Sequence, residues 1–169
     1  VGLTRAVGVS NFDKSQMQRV YSVLSHHDIP LASNQVQYHL LDRRIEKSGL
    51  LARCQELGIR VIAYSPLAKG MLTGKFTPRN QPPTVRAREY SWAFDKIEPL
   101  INLMREIGQE QQGKTPAQVA LNWLICKGTL PIPGAKNASQ AEQNAASAGW
   151  RLTPEQVTEL DEASDKIAR

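Results

Sequence analysis

Four short segments of the chain, Ala6 to Val9, Asn34 to Gln37, Arg60 to Tyr64 and Leu130 to Ile132, are rich in β-branched residues or bounded by turn formers, and they read as strands. Between them lie stretches whose apolar residues recur at helical spacing. This alternation is the strongest constraint on the fold, because a strand that reaches its neighbour through a helix returns parallel to it by a right-handed crossover. The expected class is α/β, a parallel sheet covered by helices and built from four βα units. Ligands of such folds gather outside the carboxyl ends of the strands. The segments to inspect are therefore Ser10-Asn11, Gln37-Tyr38-His39, the long stretch from Ser65, and Gly134 onward.

The helices carry local start and stop signals. Asp13 with Gln16 three residues later resembles a capping box, followed by Met17, Val20, Tyr21 and Leu24 at helical spacing and an expected end near His26-His27-Asp28. A second helix, Glu46 to Leu57, presents Leu50, Leu51, Cys54 and Leu57 to a core and stops at Gly58. Glu98 to Gln111 reads as a third, with Leu100, Ile101, Met104 and Ile107 on one side. Thr115-Pro116 and Thr153-Pro154 each supply an N-cap followed by a first-turn proline. The helices they open carry Val119, Ala120, Trp123 and Leu124 inward in one case, and Val157, Leu160 and Ala163 in the other. From Ala68 to Ala93 no convincing periodicity is visible, and loops longer than about 12 to 15 residues in compact domains are usually functional or disordered.

Composition narrows the classes further. With 41% hydrophobic residues and 22% charged ones, the chain can bury a core and does not match disordered sequences. No apolar run approaches the roughly 18 residues of a membrane-spanning helix, and no signal-peptide pattern opens the sequence. Cys54 and Cys126 sit singly inside predicted helices, which reads as reduced core thiols and a reducing compartment. The 21 basic residues against 16 acidic ones leave a net charge of +5, which suits nucleic acid, an anionic membrane or a phosphorylated small molecule. Lys69, Lys75, Arg79, Arg86 and Arg88 share one irregular segment without the interleaved aromatics of a single-strand platform, so no nucleic-acid partner and no membrane partner is expected.

At the strand ends the residue types suggest specific chemistry. Ser10 and Asn11 offer a hydroxyl and an amide, and Gln35 a second amide; such groups satisfy a carboxamide, although Ser and Asn also cap helices. In Tyr64-Ser65-Pro66-Leu67-Ala68-Lys69-Gly70 the Tyr ring can face an aromatic ligand and successive backbone N–H groups can cradle phosphate, although Ser-Pro and Lys-Gly are also ordinary turn chemistry. The stretch beyond, with Lys75 and Arg86, is either a basic lid over an anion or a solvated excursion. His26, His27 and His39 lack Cys, Asp or Glu at ligand spacing, so no metal site is expected and His39 reads as structural. Arg43-Arg44-Ile45-Glu46-Lys47 reads as a solvated helix start. "LPIPGAKNASQAEQN", Leu130 to Asn144, is a strand running into a helix N-terminus, a generic anion site, with Gln140, Gln143 and Asn144 on one helical face.

Taken together, "GVSNF" at Gly8 to Phe12, "NQVQYHLLDR" at Asn34 to Arg43, "VIAYSPLAKGMLTGKF" at Val61 to Phe76 and "PIPGAKNASQAEQN" at Pro131 to Asn144 resemble the C-terminal half of an NADP-dependent aldo-keto reductase. The Gly-Ala form of the last motif is similar to the branch containing potassium-channel β subunits and plant or cyanobacterial reductases. The resemblance covers essentially the whole sequence. It implies strands five to eight of a (β/α)8 TIM barrel plus C-terminal helices, with residues 1–169 as one partial domain; a complete barrel usually takes roughly 250 residues.

The same resemblance implies NADP(H) as cofactor. Ser10, Asn11 and Gln35 would hold the nicotinamide carboxamide and Tyr64 would stack on its ring. Ser65, Pro66, Leu67, Ala68, Lys69 and Gly70 would border the pyrophosphate, and Lys75 and Arg86 would belong to the closing loop. Gly134, Lys136, Gln140, Gln143 and Asn144 would form the adenosine 2′-phosphate and adenine site. The family's catalytic Asp, Tyr, Lys and His lie on the first four βα units, outside this sequence, so no catalytic residue is expected here and Tyr38 and His39 are not counterparts. The implied activity is reduction of aldehydes or ketones by hydride transfer, with a small carbonyl substrate bound only alongside the N-terminal half, in the cytoplasm or plastid stroma. The alternative is a non-catalytic nucleotide-binding module, or a half-barrel that self-associates through exposed edges.

Overall fold

The computed structural model describes residues 3–77, 80–82 and 84–167, with the backbone alone at residues 84–88. Among these, the elements run β1 (Val7–Ser10), α1 (Lys14–Ser25), β2 (Leu31–Gln37), α2 (Arg44–Lys47), α3 (Leu50–Glu56), β3 (Arg60–Tyr64), a 3-10 segment (Ala68–Thr73), α4 (Thr84–Phe94), α5 (Glu98–Glu110), α6 (Pro116–Cys126), β4 (Leu130–Pro131), α7 (Ala138–Ala145) and α8 (Pro154–Asp165).

The strands form one parallel sheet in the order β1-β2-β3-β4. An order without reversal means that every crossover advances the same way, so the helices collect on a single face. The register shows this directly. Val9, Asn34 and Val61 form one row, and Val36, Ala63 and Pro131 another; Asn34, Val36, Val61 and Ala63 are buried under the helices. The opposite face carries the row Ser10, Gln35, Ile62 and Leu130 and the pair Gln37 and Tyr64, all at least partly exposed. This alternation of two faces is the period-two geometry of a strand.

Helix starts follow the local signals. Asp13, Thr115 and Thr153 each accept a hydrogen bond from the backbone N–H three residues on, and Gln16, Gln118 and Gln156 return the bond, completing three capping boxes. Helix α5 buries Leu100, Ile101, Met104 and Ile107, each worth about 1.5 to 3 kcal/mol of burial. Helix α6 buries Val119, Ala120, Trp123 and Leu124. In α1 only Met17 is buried, while Val20, Tyr21 and Leu24 pack partly, because β1 is an edge strand with no described element beyond it. Cys54 and Cys126 are free thiols, and burial pushes Cys54 up to about 11.

Several expectations change. The helix expected at Glu46 to Leu57 is split, because Gly49 adopts φ 73°, a left-handed conformation that costs glycine little and ends α2 before α3 begins. Strand β2 begins at Leu31 instead of Asn34, since Val7 and Gly8 pair with Leu31 and Ser33. The stretch from Ala68 to Ala93 is not loop throughout: it holds the 3-10 segment and α4.

Arg43 to Lys47 is not a solvated helix start. Ile45 is buried, and the Arg43 side chain is only 10% exposed. Arg43 bonds Glu46 at 2.7 Å and the Asp161 carbonyl at 2.8 Å, with Asp161 and Asp165 carboxylates at 3.4 and 3.2 Å. Lys127 completes the group on Asp161 at 2.5 Å, and the Trp123 indole N–H donates to the same carboxylate at 2.9 Å. Charge symbols in a sequence cannot distinguish such a group from a solvated face, because the partners on α8 lie more than a hundred residues away.

Candidate functional site

The carboxyl ends of the strands bring the first group together. The Ser10 hydroxyl donates to the Gln35 carbonyl at 3.0 Å, and the Asn11 N–H donates to the same oxygen at 2.8 Å. Asn11 has φ 57°, which turns the chain off the strand. Neither residue caps α1, since Asp13 does. The side chains of Asn11 and Gln35 make no hydrogen bond to any described residue, which leaves two amides at one strand end with unused donors and acceptors. Beneath them, buried Asn34 donates to the Phe12 carbonyl at 2.9 Å and ties the turn to β2.

Tyr64, the register partner of Gln37, stands on the same open face one row beyond Gln35. After it the chain coils tightly, with Ser65, Ala68, Lys69 and Gly70 all at positive φ. Such a run persists only where its surroundings hold it, and these conformers cluster at ligand-binding turns. Pro66 and Ala68 are buried, Ala68 with no exposed surface in either side chain or backbone. The N–H groups of Ala68 and Gly70 turn back onto the carbonyls of Ser65 and Leu67, each at 2.8 Å. Lys69 pairs with Glu89 of α4. Lys75 is exposed, its ammonium 4.6 Å from the centre of the Phe76 ring. The side chains of Arg86 and Arg88, and Arg79 altogether, lie outside the described residues.

The last group opens α7. Asn137, a residue sequence reasoning passed over, is its N-cap and accepts from the Gln140 N–H at 2.9 Å. The Gln140 side-chain Oε1 accepts from the Lys136 N–H at 2.8 Å, and the Asn144 side chain donates to the Gly134 carbonyl at 3.3 Å. Gln143 reaches Ser139 at 3.4 Å. Gln140 and Asn144 thus shape the loop Gly134–Lys136, while Lys136 presents an exposed ammonium that no described carboxylate pairs.

Tyr38 and His39 belong to the core. Tyr38 is fully buried, 5.1 Å from the Trp123 ring, and donates its hydroxyl to Glu46; burial first, then that carboxylate, pushes its pKa up. His39 Nδ1 accepts from the Leu41 N–H at 3.2 Å, which assigns its proton to Nε2, 3.1 Å from the Tyr90 hydroxyl. Burial lowers its pKa to about 4. Gln37 donates to the same Tyr90 oxygen at 3.0 Å, so this cluster fastens α4 onto the end of β2. Gln37 had a readable signal: it is two residues from Gln35 and so faces the same way. Among the described residues no group of three or more His, Cys, Asp or Glu could hold a metal, and no helix is long and apolar enough to cross a membrane.

Comparison with known proteins places this geometry. Residues 1–165 match the model of the aldo/keto reductase family. The chain belongs to the aldo/keto reductase family. It is 43% identical over 163 residues to the chloroplastic pyridoxal reductase of Arabidopsis thaliana, an alignment covering 96% of this chain and 44% of that protein. Among solved structures, a thermostable aldo-keto reductase bound to the inhibitor epalrestat superposes with a TM-score of 0.73 at 29% identity, over 96% of this chain and 49% of that one. An aldo-keto reductase of Bombyx mori in complex with NADP superposes with a TM-score of 0.68 at 28% identity, over 96% and 45%. The chain therefore spans about half the length of the relatives it matches. Its four parallel strands with their helices correspond to half of an aldo-keto reductase TIM barrel.

Proposed function

We propose that this chain is the NADP(H)-binding portion of an aldo-keto reductase that reduces aldehydes or ketones to alcohols, with residues 1–169 forming one partial domain. The observation that carries the reading is the row on the open face, where Ser10 and Asn11 meet Gln35 at a strand end and Tyr64 stands in the next row. The donor set fits the group: unpartnered amides match a carboxamide, a half-exposed Tyr ring offers a stacking face, and exposed Lys136 and Lys75 suit phosphates. Bound there, a reduced nicotinamide supplies hydride to the carbonyl carbon.

The chain's own residues orient and hold. Ser10, Asn11 and Gln35 would fix one edge of the ring, Tyr64 would cover a face, the coil from Ser65 to Gly70 would border the pyrophosphate, Lys75 and Arg86 would belong to the closing segment, and Gly134, Lys136, Gln140, Gln143 and Asn144 would take the adenosine end. The carbonyl oxygen needs a proton from a group of suitable pKa within reach. Burial raises the Tyr38 pKa and lowers that of His39 to about 4, which suits neither to the task, and in this reading the donor belongs to the βα units that the family resemblance places outside this chain.

Titration with NADPH, followed by quenching of tryptophan emission, tests the cofactor reading. Saturable binding below millimolar ligand is expected, and none at millimolar overturns it. With the first four βα units present, NADPH oxidation dependent on an added aldehyde panel is the expected activity. A second reading, self-association of the half-barrel, is favoured by Leu130 and Ile132, which are 52% and 43% exposed at the β4 edge. Light scattering separates the two, since a stable folded monomer argues against pairing.

A further inference from the structure

Helix α7 carries the adenosine end of the proposed site, yet none of its residues is buried. Helices are ordinarily held by a buried apolar stripe, and α7 has none. Among the described residues, hydrogen bonds from two amides on α6 tie α7 and the turn that follows it to the body of the protein. Gln118, 8% exposed, donates from Nε2 to the Gln143 carbonyl at 3.1 Å. Asn122, 0% exposed, donates from Nδ2 to the carbonyls of Ser147 and Trp150, both at 2.9 Å. Its Oδ1 accepts from the Leu152 N–H at 3.0 Å and the Cys126 thiol at 3.3 Å. The Asn122 carboxamide thereby uses both donors and both acceptor positions. Four residues apart, Gln118 and Asn122 share one face of α6.

The bonds continue toward the ligand end. The Ser147 hydroxyl donates to the Asn144 carbonyl at 2.6 Å, and the Asn144 side chain donates to the Gly134 carbonyl at 3.3 Å. A path from Asn122 through Ser147 and Asn144 thus ends at the loop that presents Lys136. We propose that Asn122 and Gln118 are positioning residues for the 2′-phosphate end of the cofactor, setting NADPH selection without touching the ligand. This rests on the cofactor reading above. Directional bonds in a water-excluded site hold one placement of α7, where a smooth apolar contact would allow sliding.

The test compares dissociation constants for NADPH and NADH, which differ only in the 2′-phosphate, in the completed barrel. The variants are Asn122→Leu, which removes all four bonds, and the milder Gln118→Met and Gln118→Glu. The Gln118 variants share only the lost donor to Gln143, since Glu keeps an acceptor for the capping box and Met adds no charge. The expected result is an NADPH-over-NADH preference reduced by about fivefold in both Gln118 variants and more in Asn122→Leu, the factor that corresponds to one ordinary hydrogen bond or more. The loss falls on KM for NADPH and not on kcat at saturating cofactor. Folded Gln118 variants with an unchanged preference overturn the proposal even if Asn122→Leu fails to fold. Wild-type protein that binds neither nucleotide overturns the cofactor reading itself and this proposal with it.

Discussion

The Tyr38 hydroxyl donates to Glu46, and both stand inside the group of charges that joins the exit of β2 to the last helix. Burial alone would raise the Glu46 carboxyl, but the bonds from Arg43 and Tyr38 outweigh it and hold the group below its usual range. A depressed carboxylate stabilises the fold above its unfolded pKa, and that contribution is lost as pH falls through the lower folded value. Glu46→Gln should therefore flatten the acid limb of a stability profile below about pH 4.3. Arg43→Ala should cost about 3 kcal/mol, because it strands half-buried carboxylates. Urea denaturation from pH 7 to 3 reads both; a variant no less stable than wild type would refute the coupling.

His39 acts in a different pH window. Its folded pKa of about 4 lies below the unfolded value near 6.5, so between them the unfolded chain binds a proton that the folded one refuses. Stability should therefore fall as pH drops from about 6.5 toward 4, by about 2 kcal/mol between pH 7 and 5. His39→Asn keeps an acceptor for the Leu41 N–H and cannot titrate, so its profile should be flat across that window. Equal slopes in the two proteins would show that His39 does not drive the effect.

Among the described glycines, Gly108 is the one where a Cβ would meet the nearest backbone atom. A Cβ there would sit 2.0 Å from the Lys114 carbonyl oxygen, a backbone atom that also approaches through the turn closed by the Gly113 and Lys114 N–H groups on the Gly108 carbonyl. Gly108→Ala should lower stability by about 1 to 3 kcal/mol despite the better helix propensity of alanine. Thermal unfolding checks it, and a neutral or stabilising outcome would mean that α5 and α6 shift apart freely.

Lys136 is the one exposed cation at the head of α7 among the described residues. Lys136→Ala should weaken NADPH by about tenfold while leaving NADH nearly unchanged, as expected for a lost hydrogen bond to a charged group. Competition binding of the two nucleotides measures the ratio. Equal losses for both would remove Lys136 from the 2′-phosphate.

Much of the candidate site was legible because its signals are local. Ser10, Asn11 and Gln35 could be grouped once the alternation placed them at neighbouring strands, and the rest of the proposed site rests on the family motifs. Asn137, Gln118 and Asn122 were not legible as site-shaping residues, since an Asn or Gln in a helical pattern carries no mark of whether it is satisfied by water or by a distant carbonyl. Arg43 was misread for the same reason.

The sequence by itself determined the helix starts at Asp13, Thr115 and Thr153, whose bonds span three residues and form wherever the chain turns helical. It also determined the parallel α/β class, because alternating periods allow few topologies. Only the tertiary structure decided which polar residues are buried. Arg43 meets Asp161, and Asn122 meets Ser147 and Leu152, through contacts whose energy exists only after packing removes water and brings the partners within reach.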